Sequence, residues 1–242
     1  MQRIKYIDLI KSPKKGIFVL KNKWKMVTSS PAERLANLKK ENWEVFYLIS
    51  KIINIQLSKF DISYLKDLYI AEAGIGRGES FQYLSYFAEK INCKILGFDS
   101  FCGFPEPKNN NDHRKDSKTK KGEWNINSIE EIKTKITSGG IKAEFINSNI
   151  DFIPGFFEDS LKKVDPNIKI FLLHLDVDLY SSYMCCLENL WDNVIEGGII
   201  LFDEYHAIER WPGAKKAIDE FMFLKGKDII QDNLTNRAYV IK

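Results

Sequence analysis

From residue 67 onward, short apolar runs alternate with longer amphipathic stretches, and this alternation constrains the fold more than any other feature of the sequence. Such alternation is typical of βαβ units, which build a parallel sheet. We therefore predict an α/β fold with helices on both faces of the sheet. The predicted strands are 67–73, 94–99, 143–147, 168–176 and 197–202, and the predicted helices are about 78–91, 128–138, 156–163, 181–194 and 212–224.

Two further apolar runs, 228–231 and 236–241, lie at the end of the sequence. The segment between them is too short for a parallel crossover, which needs a dozen or more residues. The pattern therefore predicts a C-terminal antiparallel hairpin on a mostly parallel sheet.

Two segments lie outside this alternation. Ser30, Pro31 and Glu33 form a capping-box pattern that predicts a helix of about 20 residues. We therefore interpret residues 1–60 as an N-terminal helical cap or lid segment, and residues 61–242 as the main domain. The irregular stretch 103–127 is long for a compact domain, and it fits either a solvated mobile loop or a lid over the ligand-binding edge.

Composition limits the classes of protein to consider. The 36 basic and 33 acidic residues leave a net charge of +3, and this near balance argues against a nucleic-acid partner. The four cysteines form no Cys-x-x-Cys pair, which argues against a structural zinc site or a disulfide framework. Without a signal-peptide pattern or an apolar run of the ~20 residues that span a bilayer, we expect a cytoplasmic protein with no membrane span.

A glycine-rich turn follows the first predicted strand. Gly74, Gly76 and Gly78 let the backbone turn sharply and approach a ligand closely. A dinucleotide-binding fingerprint would place glycine or alanine at position 79, where Glu79 would instead repel a pyrophosphate. About 20 residues later the next strand ends at Asp99, where a Rossmann-like sheet places an acid that binds ribose hydroxyls. The spacing favours S-adenosylmethionine, with incidental glycines and a capping aspartate as the alternative.

Acidic residues follow two later strands, Asp176 and Asp178 after the fourth, and Asp203 and Glu204 after the fifth. The carboxyl ends of neighbouring parallel strands face one crevice, where ligands bind in open α/β sheets. Carboxylates this close would repel one another without a cation, and an oxygen-rich site free of thiols favours Mg²⁺, with Mn²⁺ or Ca²⁺ as alternatives. Each acid alone would also fit as a helix cap, which is the structural alternative.

A divalent cation at this edge would make a hydroxyl group reactive, because coordination stabilises the alkoxide. Asp176 is then placed to take the proton. His206 follows the acidic pair and is a second candidate base or substrate contact, whereas His174 lies within an apolar strand and is interpreted as a core histidine. His113, in the 103–127 stretch, is expected to be solvated.

Taken together, these motifs resemble the macrocin O-methyltransferase family, over about residues 26–222. The sequence is similar to the family's cofactor turn at 72–80, its second-strand motif at 99–105, its adenine-bordering segment at 155–161, its metal-site motifs at 175–182 and 203–205, and its following helix at 213–221. The resemblance implies a Rossmann-like class I methyltransferase fold with a seven-stranded sheet. It further implies S-adenosylmethionine bound by Glu72, Gly74, Gly78, Ser80, Asp99, Ser100, Gly155, Phe156, Phe157 and Asp176.

The resemblance also implies Mg²⁺ held by Asp176, Asp203 and Glu204, and a base at Asp176 with Asp178 as its alternative. Two positions depart from the family. Glu204 stands where the family has a second aspartate, so its longer side chain shifts the metal position. Gly76 stands where the family has a larger residue, which predicts a wider cofactor pocket.

The predicted reaction is methyl transfer to a hydroxyl of a sugar, a glycan or a natural-product precursor. Lys115, Lys118, Lys120 and Lys121 are candidates to clamp an anionic, nucleotide-linked sugar, or else they form a solvated face. Three alternatives stay open: a catechol-type small-molecule O-methyltransferase, a nicotinamide-dependent oxidoreductase, which Glu79 disfavours, and a cofactor-binding protein without catalysis. A homodimer is a further expectation.

Overall fold

In a computed structural model of the protein, residues 40–235 and 237–242 are described, with their side chains from residue 44 onward. The helices are α1 (Lys40–Lys59), α2 (Ile62–Leu65), α3 (Glu79–Ile91), α4 (Ile129–Ser138), α5 (Ala143–Asn149), α6 (Phe157–Ser160), α7 (Tyr180–Leu190) and α8 (Pro212–Lys225). The strands are β1 (Tyr69–Ala73), β2 (Lys94–Asp99), β3 (Ile150–Pro154), β4 (Ile170–Leu175), β5 (Val194–Phe202), β6 (Ile230–Asp232) and β7 (Arg237–Ile241). The predicted capping box at 30–33 lies outside the described residues.

The strands form one seven-stranded sheet in the order β3-β2-β1-β4-β5-β7-β6. Strands β1 to β5 pair in parallel, while β7 pairs antiparallel with both β5 and β6. The predicted fold class is therefore confirmed, including the C-terminal antiparallel hairpin. The strand order reverses between β1 and β4, and the crevice at such a switch point is where open α/β sheets bind their ligands.

Helices cover both faces of the sheet. On one face, Ile49 and Ile52 of α1 and Leu84 of α3 are fully buried, and α4 and α5 complete this layer. On the other face, α7 and α8 bury Tyr183 and Ile218. Since α1 shares its core with the strands, it packs as part of the same unit, and a domain boundary near residue 60 stays a prediction. Of the helices in the described ranges, none is both long and apolar enough to cross a bilayer.

The predicted strand at 143–147 is wrong, because this segment is helix α5 and the third strand follows it at Ile150–Pro154. Phe145 and Ile146 are buried within this helix, and Ile141, just before its first turn and four residues before Phe145, is buried as well. That spacing suits a helix, and an apolar run this short does not separate the two structures. Strand β3 was missed because it is an edge strand with exposed and half-buried residues, so its apolar signal is weak.

The 103–127 stretch is held in place at several points. Its 3₁₀ turn, Asn110–Asp112, presents the buried carboxylate of Asp112, which accepts hydrogen bonds from the backbone N–H of Lys108 (2.8 Å) and of Ser181 at the start of α7 (2.7 Å). Phe104 exchanges two backbone hydrogen bonds with the 122–123 segment, which closes the loop on itself. The loop therefore lies as a folded layer over the carboxyl ends of the strands, and its motion as a lid stays a prediction.

Candidate active site

The candidate active site lies where the carboxyl ends of four parallel strands meet. Backbone hydrogen bonds tie these ends together: Gly74 N–H donates to Phe98 O (2.8 Å), Asp176 N–H to Ala73 O (3.0 Å), and Asp203 N–H to Leu175 O (3.1 Å). A cleft of about 370 Å³ opens above them. Small-molecule sites usually occupy roughly 300–1,000 Å³, so the cleft has the size of a ligand pocket.

The glycine-rich turn borders this cleft, and its glycines at 74 and 76 differ in how much space surrounds them. Gly74 has φ +83°, and a Cβ atom there would lie 1.8 Å from the backbone oxygen of Asp176, so only glycine lets β1 approach β4 this closely. Gly76 has φ +51°, and a Cβ atom there would meet nothing within 4 Å. The turn is thus packed tightly on the side of β4 and open at Gly76, and the wider cofactor pocket stays a prediction.

Asp99 braces the glycine-rich turn from the end of β2. Its Oδ2 atom accepts hydrogen bonds from the backbone N–H groups of Ile75 (2.8 Å) and Gly76 (3.0 Å), and its Oδ1 atom accepts one from Phe101 N–H (2.8 Å). The carboxylate lines the cleft as well. It therefore positions the turn directly, and Oδ1, which accepts only one of these bonds, keeps a lone pair that could receive a ligand hydroxyl.

Most of the sequence-predicted site residues come together in this cleft. The cleft is lined by Gly74, Ser80, Asp99, Ser100, Gly155, Phe156, Phe157, Asp176, Asp178, Asp203 and Glu204. Three predicted residues are not among the described residues that line it. Gly78 caps α3 and faces Ile132, Glu72 is fully buried beneath the cleft, and His206 packs its ring edge-on against Tyr205. Their functional roles stay predictions.

Three carboxylates converge at the ends of β4 and β5. One oxygen from each of Asp176, Asp203 and Glu204 lies within 4.8 Å of the others. Burial raises the pKa of Asp176 to about 7, and repulsion from Asp203 adds to that shift. Burial, with repulsion from Asp176, likewise raises the pKa of Glu204 well above its usual range. Crowding of these acids in a buried site is relieved either by protonation or by a cation bound among them.

Neighbouring side chains fix two of these three acids. Arg237, the first residue of β7, donates from Nε to Oδ1 of Asp203 (2.5 Å), and Tyr183 in α7 donates its hydroxyl to Oε2 of Glu204 (2.5 Å). Each carboxylate retains a second oxygen. The all-oxygen donor set and its spacing fit Mg²⁺ or Mn²⁺, which prefer carboxylate ligands.

A buried acid–base pair lies below the cluster. Nδ1 of His174 and Oε1 of Glu72 are 2.7 Å apart, and both side chains are fully buried. Burial raises the pKa of Glu72, and although burial alone would lower the pKa of His174, its hydrogen bond to Glu72 raises it. This contact joins neighbouring positions of β1 and β4 inside the sheet.

Asp178 lines the cleft and has an unusual backbone conformation. Its φ of +57° is in the left-handed region, which costs a non-glycine residue about 1–2 kcal/mol. Burial and repulsion from Asp176 raise the pKa of its carboxyl well above the usual range, although the charge of Arg210 opposes that shift. Backbone strain of this kind concentrates at functional sites, so the geometry keeps Asp178 as a candidate base.

Sequence reasoning missed the aromatic and cationic side chains on the far side of the cleft. This group comprises Arg77, Phe104, Trp124, Arg210, Trp211 and Arg237, all of which line the cleft. Arg77 lies inside the glycine-rich turn, and Arg237 lies in the predicted strand 236–241. Both positions therefore belong to segments that the sequence pattern already distinguishes. The predicted clamp of lysines at 115, 118, 120 and 121 does not line the cleft that the described residues form, and Lys115 pairs with Glu209 (2.5 Å) instead.

A comparison with known protein families decides the assignment. The family model described as Macrocin-O-methyltransferase (TylF) matches residues 68–236, which is more than half of the chain. The chain belongs to the macrocin O-methyltransferase family. The resemblance inferred from the motifs is therefore confirmed, and the matched range contains the glycine-rich turn and the acidic cluster.

Two curated relatives are O-methyltransferases from Streptomyces. The chain is 33% identical over 78 residues to demethyldecarbamoylnovobiocin O-methyltransferase of Streptomyces niveus, covering 32% of this chain and 28% of the relative. It is 30% identical over 142 residues to the 8-demethyl-8-(2,3-dimethoxy-alpha-L-rhamnosyl)-tetracenomycin-C 4'-O-methyltransferase of Streptomyces olivaceus, covering 56% and 52% of the two chains. The matches thus span about half or less of these relatives.

A solved methyltransferase structure extends the comparison of the fold to the whole chain. The calicheamicin methyltransferase CalS11 superposes with a TM-score of 0.64 at 18% identity, over 100% of this chain and 97% of that one. At this identity the likeness establishes the fold alone. It agrees with the class I Rossmann-like sheet and the C-terminal antiparallel pair seen here.

Proposed function

We propose that this protein transfers a methyl group from S-adenosylmethionine to a hydroxyl of a sugar or of a glycosylated natural-product precursor, in a reaction that depends on Mg²⁺ or Mn²⁺. One observation carries the proposal: the glycine-rich turn and three convergent carboxylates face the same cleft. A glycine-rich turn alone would be consistent with enzymes of many reaction types. An acidic cluster alone would be consistent with a site for a structural ion. Their meeting in one cleft suits a methyl donor beside a hydroxyl acceptor.

The cofactor end of the cleft supports a nucleoside ligand. Gly155, at the end of β3, donates its N–H to Asp99 O (3.0 Å), so this segment is fixed beside the end of β2. Phe156 and Phe157 follow it and present apolar surface to the cleft. An apolar wall next to the carboxylate of Asp99 suits the adenine and ribose of S-adenosylmethionine.

At the other end of the cleft, Asp176, Asp203 and Glu204 would hold the metal ion. A bound Mg²⁺ supplies charge that stabilises the alkoxide form of the acceptor hydroxyl. In the proposed step, the acceptor oxygen forms a bond to the methyl carbon while the bond between that carbon and sulfur breaks, leaving S-adenosylhomocysteine. The hydroxyl proton passes to a carboxylate oxygen of Asp176, with Asp178 as the alternative base.

The experiment begins with binding and continues to turnover. Calorimetry with S-adenosylmethionine and with NAD, each with and without Mg²⁺, tests the cofactor. We expect S-adenosylmethionine to bind and NAD not to bind. The loaded protein is then given a panel of glycosides, nucleotide-linked sugars and catechols, and mass spectrometry detects S-adenosylhomocysteine and the methyl ether.

Turnover of a sugar that stops with a chelator and returns with added Mg²⁺ supports the proposal. Methylation restricted to catechols would assign the alternative small-molecule activity. Binding of NAD in place of S-adenosylmethionine, or methyl transfer that the chelator leaves unchanged, would refute the proposal.

A further inference from the structure

Two arginines at the cleft have no acidic partner. Arg77 and Arg210 both line the cleft and are exposed, and no carboxylate of the residues that the structure describes lies within salt-bridge distance of either guanidinium group. By contrast, Arg237 pairs with Asp203. Both guanidinium groups therefore keep their donors free of carboxylates at contact distance within the described residues, so an anionic group of a ligand can bind them.

An aromatic ring places these two arginines together. The guanidinium carbon of Arg210 lies 5.0 Å from the ring centroid of Trp124, and that of Arg77 lies 6.0 Å from the same centroid. Both distances are within the range of cation–π attraction. Arg77 comes from the turn after β1 and Arg210 from the segment before α8, so Trp124 joins two remote parts of the chain at the cleft.

Trp124 itself is held in a strained conformation. Its φ of +64° lies in the left-handed region, a rare state for a bulky side chain, and its ring is 40% exposed. The adjoining Glu123 fixes this conformation, because its backbone oxygen accepts a hydrogen bond from Phe104 N–H (2.8 Å) and its carboxylate pairs with Arg114 (2.7 Å). A strained, exposed aromatic ring beside a ligand cleft is more consistent with a binding role than with packing.

The charge of this pair identifies a ligand class. A guanidinium group binds phosphate oxygens in a bidentate, charge-assisted manner. A carboxylate would neutralise only one of the two arginines, whereas the diphosphate of a nucleotide-linked sugar carries two negative charges. We propose that Arg77 and Arg210, aligned by Trp124, form a subsite that holds the diphosphate of a nucleotide-linked sugar while its sugar lies at the carboxylate cluster.

The location of Arg210 supports this arrangement. Arg210, Asp176 and Asp178 line the same cleft, so the arginine pair and the acids share one binding space. Arg210 is also fixed from the loop side, since its backbone oxygen accepts a hydrogen bond from Lys115 N–H (3.3 Å). The proposed subsite thus lies next to the acids that would receive the acceptor hydroxyl. This inference rests on the proposed function and names its acceptor class.

The test measures binding of UDP-glucose, the probe, to protein saturated with S-adenosylhomocysteine and Mg²⁺. Calorimetry compares the unchanged protein with Arg77→Gln, Arg210→Gln and the double variant. Lys121→Gln is the matched control, because Lys121 is an exposed lysine of the same loop that does not line the cleft. Circular dichroism and thermal melting establish that each variant is folded.

We expect each arginine substitution to weaken UDP-glucose binding about tenfold, the usual scale for a charge-assisted hydrogen bond, and Lys121→Gln to leave it unchanged. Binding should also weaken as salt concentration rises. Equal affinity in the double variant and the control, or no binding of UDP-glucose by protein that still binds S-adenosylhomocysteine, would overturn the subsite. Failure of the proposed function would appear separately, as loss of S-adenosylhomocysteine binding by the unchanged protein.

Discussion

The Nε atom of Arg237 lies 2.5 Å from Oδ1 of Asp203, so an arginine of the antiparallel strand β7 neutralises a carboxylate at the end of β5. The guanidinium group is largely buried, and the negative charge of Asp203 raises its pKa although burial alone would lower it. The ion pair gives the acidic cluster a built-in positive charge. It therefore connects the stability of the hairpin with the charge balance of the candidate metal site.

Replacing Arg237 with Met should destabilise the protein by about 2 kcal/mol, because the carboxylate of Asp203 loses its partner in a partly buried site. Added Mg²⁺ should then raise the melting temperature of the variant more than that of the unchanged protein, since a bound cation replaces the lost charge. Arg114→Met, which breaks a comparable pair with Glu123 outside the cluster, serves as the control. Equal Mg²⁺ responses in both variants would contradict this role.

Asp176→Asn should lower the turnover number of methyl transfer by about 100-fold or more, because it removes a carboxylate proposed both as general base and as metal ligand, and the affinity for S-adenosylmethionine is measured alongside because Asp176 is also a predicted cofactor contact. Steady-state kinetics and calorimetry on the same preparation separate these two effects. Asp67→Asn, which makes the same chemical change at an exposed position far from the acidic cluster in sequence, is the control. Undiminished methyl transfer by Asp176→Asn would show that another residue removes the proton.

The sheet could be predicted because its central strands are buried on both faces. Strand β2, for example, was predicted and observed over the same residues, 94–99, since a buried parallel strand appears as a short apolar run with polar neighbours. Edge strand β3 lacks this signal, which explains the error at 143–147. The other edge strand, β6, could be predicted in spite of its exposure because it forms a hairpin with the apolar run of β7.

The acidic cluster could be predicted because topology alone brings it together. In a parallel sheet, residues after neighbouring strands share one edge, so Asp176 and Asp203 had to lie close. The position of Trp124 depends instead on how a long loop folds back, which no local pattern encodes. Arg237 is an intermediate case, because the antiparallel register pairs Phe202 with Ala238 and so places Arg237 opposite Asp203.

Gly74→Ala should destabilise the protein by about 3 kcal/mol or more, because the new methyl group would overlap the backbone of Asp176 at an already left-handed φ of +83°. Gly76→Ala should cost only about 1 kcal/mol, since φ is also positive there but the space around it is open. Urea denaturation measures both values. Similar costs for the two variants would mean that the close approach of β1 and β4 does not limit this turn.

Lys51 in α1 and Asp232 in β6 form an ion pair of 2.5 Å that joins the first described helix to the C-terminal hairpin. Burial alone would raise the pKa of Asp232, but the hydrogen bond from Lys51 outweighs it and leaves the pKa below its ordinary value. A carboxyl whose pKa is lower in the folded than in the unfolded state stabilises the fold at every pH above its unfolded-state pKa. This contribution is lost as the pH falls through the folded-state pKa.

Asp232→Asn keeps an oxygen that can accept the backbone hydrogen bonds of Leu234 and Thr235, so it removes mainly the charge. Near neutral pH we expect it to lower the free energy of unfolding by about 1 kcal/mol, because Lys51 is partly exposed and solvent screens the pair. The difference between variant and unchanged protein should shrink below the usual aspartate pKa of about 4, as Asp232 itself becomes protonated. Urea denaturation between neutral pH and about pH 3 measures this convergence. A difference that stays constant over that range would mean that the interaction of Asp232 does not depend on its charge.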